Sequence, residues 1–152
     1  MTTRYEELIN KLKIELTNKN IKFTKIFSLI NNNNYDEIIK IVNNDIIYSL
    51  IESIIIERNT IGNNLEVKLN NLMWLNDCLI KFNEEPQLTK QKALKLLKSK
   101  VFINIYDLES EIYDKRTTKE ILRKELRKKR ERRFPLNFAK ENITLKFFLI
   151  KL

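Results

Sequence analysis

The stretch 35–58, YDEIIKIVNNDIIYSLIESIIIER, is the most apolar in the chain, and its reading decides the fold. Ile38, Ile39, Ile41, Val42, Ile46, Ile47, Leu50, Ile51, Ile54 and Ile55 cover more than one helical face. A helix apolar on most sides belongs at the centre of a bundle rather than across its surface. The many β-branched residues lower helix propensity and keep a pair of strands as the alternative. Composition favours helices: sheets joined by tight turns use glycine and proline, and the 152 residues hold one Gly and two Pro. Asn43-Asn44-Asp45 is a candidate break, with Asp45 capping the second piece. Ile61-Gly62-Asn63-Asn64, which holds the only glycine, reads as a turn.

Toward the amino terminus, Tyr5, Leu8, Ile9, Leu12 and Leu16 recur at three- and four-residue steps and predict one amphipathic helix. Thr3 with Glu6 forms a capping box for it. Residues 21–30 fit a short helix or a strand. Asn31-Asn32-Asn33-Asn34 reads first as a loop and as the product of AT-rich codons, since Asn, Ile and Lys supply 62 residues; a prion-like tract is the weaker alternative. Toward the carboxyl terminus, Leu65, Leu69, Leu72, Met73, Leu79 and Phe82 form a helical stripe that Pro86 closes. Thr89 opens another through Ala93, Leu96 and Leu97. Residues 101–106 fit an extended segment, or the approach to a helix capped by Asn104 or Asp107 and continuing through Ile112. Thr117 with Glu120 forms a second capping box, Phe134-Pro135 interrupts, and Leu136 to Leu152 resumes with Ala139, Ile143, Phe147 and Ile150 on one face. The expectation is an all-α, irregular bundle of about six to eight helices in a single domain, 1–152, with one basic helix within 115–133.

Several chemistries are missing. With no histidine in the sequence, Ser-His-Asp and Cys-His catalysis are excluded, as are the common zinc sites built on Cys and His. The single cysteine, Cys78, forms no internal disulfide, fits a reducing compartment and reads as a small buried hydrophobe. One glycine leaves no phosphate-cradling loop. Glu84-Glu85 beside Pro86 reads as a solvated loop, and Asp107 as a cap rather than a base or metal ligand. No stretch approaches the ~20 apolar residues needed to cross a bilayer. The expectation is a non-enzymatic protein of the nucleus or cytoplasm, with no cofactor, metal, membrane partner or small-molecule substrate.

Asn71 to Leu79, NLMWLNDCL, with Ala93 to Leu97, ALKLL, and Val101 to Leu108, VFINIYDL, resembles segments of a family of small fungal proteins. Phe134 to Glu141, FPLNFAKE, is similar to that family's closing helix. The resemblance spans about Ile54 to Leu152; it implies a fungal source and a helical domain, and the family is uncharacterised, so it names no catalytic residue. Here three residues separate Trp74 from Cys78, and the stretch before Phe134 is more basic than in the family.

The formal charge of +9 is concentrated. Lys115 to Arg133 holds eleven basic residues and three acids, Glu120, Glu125 and Glu131. As one helix, this segment is ~28 Å long. Ile121, Leu122 and Leu126 anchor its first half, and nothing beyond Leu126 asks for burial. Charge runs are most often solvated faces. The functional readings are contact with nucleic acid or another acidic partner through Arg123, Lys124, Arg127, Lys128, Lys129, Arg130, Arg132 and Arg133, and a bipartite import signal of Lys115 and Arg116 with Arg127 to Arg130. Zinc-finger spacing, RRM aromatics and a heptad zipper are all lacking, so base-specific readout has no support. Tyr106 and Tyr113 could stack on bases but read better as core. The competing class is a protein–protein adaptor or homo-dimer that uses the Ile-rich helix or a Phe147-Phe148-Leu149-Ile150 face.

Overall fold

The computed structural model describes residues 2–135 and 142–149. Among these the chain is all-α. Its helices are α1 (Arg4–Asn18), α2 (Phe23–Asn31), α3 (Tyr35–Ile41), α4 (Asp45–Leu69), α5 (Leu72–Lys81), α6 (Lys90–Lys100), α7 (Ile105–Glu109), α8 (Lys119–Lys128) and α9 (Ile143–Phe148). Short 3-10 turns lie at Tyr113–Lys115 and Arg130–Arg132. The contacts separate two compact units, Met1–Asn59 and Thr60–Leu152, and α4 contributes residues to both.

In the first unit α1 buries the expected stripe, Tyr5, Leu8, Ile9, Leu12 and Leu16, and Thr3 caps it by accepting the Glu6 amide at 3.2 Å. The ambiguous segment after it is helical: α2 turns Ile26, Phe27 and Ile30 inward. From α3 and its C-cap come Ile38 and Val42, and from α4 Ile47, Ile51 and Ile54. The Ile-rich helix is less uniformly buried than its composition predicts, because Ile46 and Ile56 stay exposed. Its cap is Asn44, whose Oδ1 accepts the Ile47 amide at 3.1 Å, whereas Asp45 is the first helical residue. There its carboxylate faces the positive end of the helix dipole. Arg58 is fully buried, donating to Asn31 Oδ1 at 2.7 Å and lying 5.6 Å from the Phe27 ring centre.

Asparagine stands where a glycine-poor chain needs left-handed backbone. Asn20, Asn33 and Asn83 have φ of 58°, 56° and 59°, and Glu111 has 58°. Each follows a helix C-cap and closes it with two crossed backbone bonds, as when Asn33 N donates to Ile30 O at 3.1 Å and Asn34 N to Leu29 O at 2.9 Å. This is the Schellman arrangement, which usually takes glycine and tolerates asparagine best among other residues. The Asn31–Asn34 run is therefore a helix stop.

In the second unit the turn predicted at Ile61-Gly62-Asn63-Asn64 is absent, and α4 continues to Leu69. Ile61, Leu65 and Leu69 fall on one buried line and hold the helix through weak formers. Gly62 is there for space. A Cβ on it would lie 2.7 Å from Phe134 Cζ, so the aromatic ring rests on bare helix backbone. Asn71 caps α5 through the Trp74 amide at 3.1 Å, and Thr89 caps α6 through Lys92 N at 3.2 Å. α5 and α6 pack on each other, with Leu75, Cys78 and Leu79 from one and Ala93 and Leu97 from the other buried. Asn76 pins the connecting loop by exchanging two hydrogen bonds with the Gln87 backbone, at 2.8 and 2.9 Å.

Segment 101–106 combines both readings. Phe102 makes an isolated antiparallel bridge with Thr117, and Asn104 then caps α7 through the Tyr106 amide at 3.0 Å. α7 ends at Glu109, short of Ile112. Because Thr117 is taken by the bridge, the neighbouring Thr118 caps α8, accepting Ile121 N at 3.3 Å. Of the expected C-terminal helix, residues 136–141 and 150–152, with Ala139 and Ile150, lie outside the described residues. Within them, α9 is held to α4 by the Glu66 carboxylate, which accepts the Thr144 and Leu145 amides at 3.1 and 2.6 Å.

Candidate basic interface

The division of the chain also divides its charge. Residues 1–59 carry eight basic and eight acidic residues, and residues 60–152 carry 21 basic and 12 acidic ones. All of the net charge belongs to the second unit.

The basic helix expected within 115–133 is α8, and it does not extend over all 19 residues of that segment. α8 has 10 residues, ~15 Å, flanked by the Thr117 bridge on one side and non-helical backbone at Lys129 on the other. The cause lies in the apolar positions. Leu122 and Leu126, one turn apart, are buried, and the next buried apolar side chain is Phe134 on Gly62 and Tyr106. Between them only a 3-10 turn leads the chain to the Phe134 seat.

This path draws part of the expected contact set into the fold. Arg132 Nη2 donates to Asp107 Oδ2 at 2.7 Å and Nε lies 3.6 Å from Glu125 Oε1; the Arg132 and Asp107 side chains are only 11% and 7% exposed. Asp107 is therefore a buried ion-pair partner rather than a cap. Arg133 Nε donates to Leu126 O at 2.7 Å, satisfying a carbonyl near the end of α8. Arg123 is half-buried, and its buried Nε has no hydrogen-bond partner among the described residues. Arg116, from the expected import cluster, binds Phe82 O at 2.6 Å, Lys100 O at 2.8 Å and Glu84 Oε1 at 3.4 Å, and lies 5.4 Å from the Phe82 ring centre. Arg116, Arg132 and Arg133 are structural ties.

Lys124, Arg127, Lys128, Lys129 and Arg130 remain outward. All five are exposed, and none has a carboxylate partner among the described residues. Lys124, Arg127 and Lys128 share the helix face opposite Leu122 and Leu126, because three- and four-residue steps return to one side. Arg127 and Lys128 also occupy the last turn, where positive charge suits the helix dipole. Lys115 is exposed as well.

A second group went unread in the sequence. α6, KQKALKLLKSK, carries five lysines and no acid. Its signal was the absence of any acidic residue between Glu85 and Asp107. Lys90 donates to Asn70 Oδ1 at 3.1 Å, and Lys98 donates to Phe147 O while lying over the Phe147 ring. Lys92, Lys95 and Lys100 point to solvent.

The tyrosines considered for base stacking are packed inward. Tyr106 is fully buried beside Phe134, and Tyr113 is half-buried, edge-on to Phe82 with its hydroxyl 3.7 Å from Cys78 Sγ. Burial pushes the Cys78 thiol up to about 11 and the Tyr113 phenol up as well, so neither is a nucleophile near neutral pH. Glu84 pairs with Arg116, and Glu85 is solvated. In the expected adaptor face, Phe148 is buried, Leu149 is half-buried, Phe147 lies under Lys98, and Ile150 is outside the described residues. No described helix is long and apolar enough to cross a membrane. No family model matches the chain, and neither a curated protein nor a solved structure matches it.

Proposed function

We propose that this is a non-enzymatic, basic interaction protein that holds nucleic acid, or another polyanionic partner, on the outer face of α8 and the residues that follow it. One observation carries the reading: Lys124, Arg127, Lys128, Lys129 and Arg130 present five exposed cations within seven residues, none of them in an ion pair with a carboxylate among the described residues. Such a cluster neutralises phosphates and releases their counterions, giving affinity that falls with salt and little sequence preference. An import function would rest on Lys115 with Arg127 to Arg130, since Arg116 is engaged elsewhere. The resemblance to a fungal family adds no activity to this reading.

The test replaces Arg127, Lys128, Lys129 and Arg130 with Gln and measures binding to mixed-sequence 20-mers by fluorescence anisotropy. The wild type binds with a steep salt dependence, and the variant loses about four from the log–log salt slope. Absence of binding by the wild type, or equal binding by both proteins, disproves the reading.

A further inference from the structure

We propose that the partner is duplex nucleic acid gripped by its phosphates, and that α6 supplies a second row of contacts through Lys92, Lys95 and Lys100. This rests on the phosphate-binding reading of α8 and extends it to residues on another helix. Lys92 and Lys95 are exposed one turn apart, away from the buried Ala93 and Leu97. Lys100 ends the helix beside the start of the α8 segment. Arg116 donates to Lys100 O at 2.8 Å and Thr117 N donates to Phe102 O at 2.8 Å, so the C-terminal end of α6 and the approach to α8 are fastened together. None of the three lysines has a carboxylate partner among the described residues. The C-terminal end of α6 and the entry to α8 thus meet at one hydrogen-bonded junction, and the proposed α8 contacts begin at Lys124, seven residues beyond Thr117.

The choice of duplex follows from the aromatic side chains. Proteins that hold single strands combine a cationic groove with exposed rings on which bases stack. In the described part of the second unit, Phe82, Tyr106, Phe134 and Phe148 are buried, while Trp74, Phe102 and Tyr113 are half-buried. Phe147 is exposed but lies 4.3 Å beneath the Lys98 ammonium. A surface of cations with no stacking platform among the described residues gains most from the ligand with the densest phosphate charge. A duplex offers one charge per ~1.7 Å of axis, about twice the density of one strand.

The experiment measures anisotropy between 50 and 200 mM salt with a mixed-sequence 20-bp duplex, the single strand of equal length, and polyglutamate as competitor. It compares wild type, K92Q/K95Q/K100Q, and the Gln variant at 127–130, with helicity checked by circular dichroism. The expected results are tighter binding of duplex than of single strand, and a salt slope lowered by about three in the α6 variant, with at least roughly tenfold weaker binding at the lowest salt. Single strand bound as tightly as duplex overturns the choice of partner. Polyglutamate competing as well as duplex per unit charge does the same in favour of an acidic protein. An unchanged α6 variant beside a weakened 127–130 variant overturns the role of α6 and leaves the α8 reading standing. A wild type that binds nothing removes the α8 reading itself.

Discussion

Gly62 carries a contact that a single methyl group would prevent. In an exposed helix interior, alanine gains about 1 kcal/mol over glycine. Here the added Cβ meets the Phe134 ring at 2.7 Å, and the ring is itself confined beside Tyr106. Gly62→Ala is expected to lower stability by about 1–2 kcal/mol in chemical denaturation, since overpacking outweighs propensity. Phe134→Leu in the same protein should recover part of the loss, whereas a stabilised single variant would refute the packing role. Asp107 poses a second residue-scale case. Its carboxylate and the Arg132 guanidinium are both nearly buried, so Asp107→Asn leaves Arg132 with the longer, more exposed contact to Glu125 and should cost about 2–3 kcal/mol. Asp107→Leu combined with Arg132→Leu should be markedly more stable than Asp107→Asn, because a buried pair is worth little relative to apolar residues filling the same space. Equal losses would show that the pair does more than neutralise itself.

Among the elements, legibility followed apolar periodicity. The stripe of α1 and the Thr3 and Thr89 caps were readable because one local pattern determined each, whereas the sequence leaves the cap of α7 open between Asn104 and Asp107, and the buried Asp107–Arg132 pair decides it. The stops were less so. Asn20, Asn33 and Asn83 do the work of C-terminal glycines, and a chain rich in asparagine hides three functional positions among many incidental ones. Asn83→Ala should destabilise by about 1 kcal/mol, while Asn83→Gly should be neutral or stabilising, since only the alanine pays the left-handed backbone cost. Equal melting temperatures for the two variants would remove the Schellman argument. The continuation of α4 through Gly62 and the early end of α8 could not be read locally. Both depend on where Phe134 sits, and that contact joins residues 72 positions apart in sequence. The outward cations of α8 were visible in the sequence, but the inward turn of Arg116, Arg132 and Arg133 was not, because charge alone does not show which carbonyl lies nearby.

At the scale of the whole molecule, the balance of eight basic and eight acidic residues in 1–59 against 21 and 12 in 60–152 makes the charge strongly lopsided. If phosphate binding belongs to α6 and α8, neutralising exposed lysines of the first unit should matter little. Lys22→Gln with Lys25→Gln removes as much charge as two substitutions on α8, yet duplex affinity should change less than about twofold, because neither lysine belongs to the proposed phosphate contacts. A loss as large as that from Arg127→Gln with Lys128→Gln would mean that only net charge counts. The arginine ties have a further consequence for a protease that cleaves after lysine and arginine. Such an enzyme must draw several residues of extended chain into its cleft, and Arg116 and Arg132 are anchored to carbonyl oxygens and carboxylates. Lys129 and Arg130 lie exposed where α8 has already ended. Among the described sites, brief digestion with trypsin should therefore nick between Lys128 and Glu131 before it cuts the peptide bonds after Arg116 and Arg132.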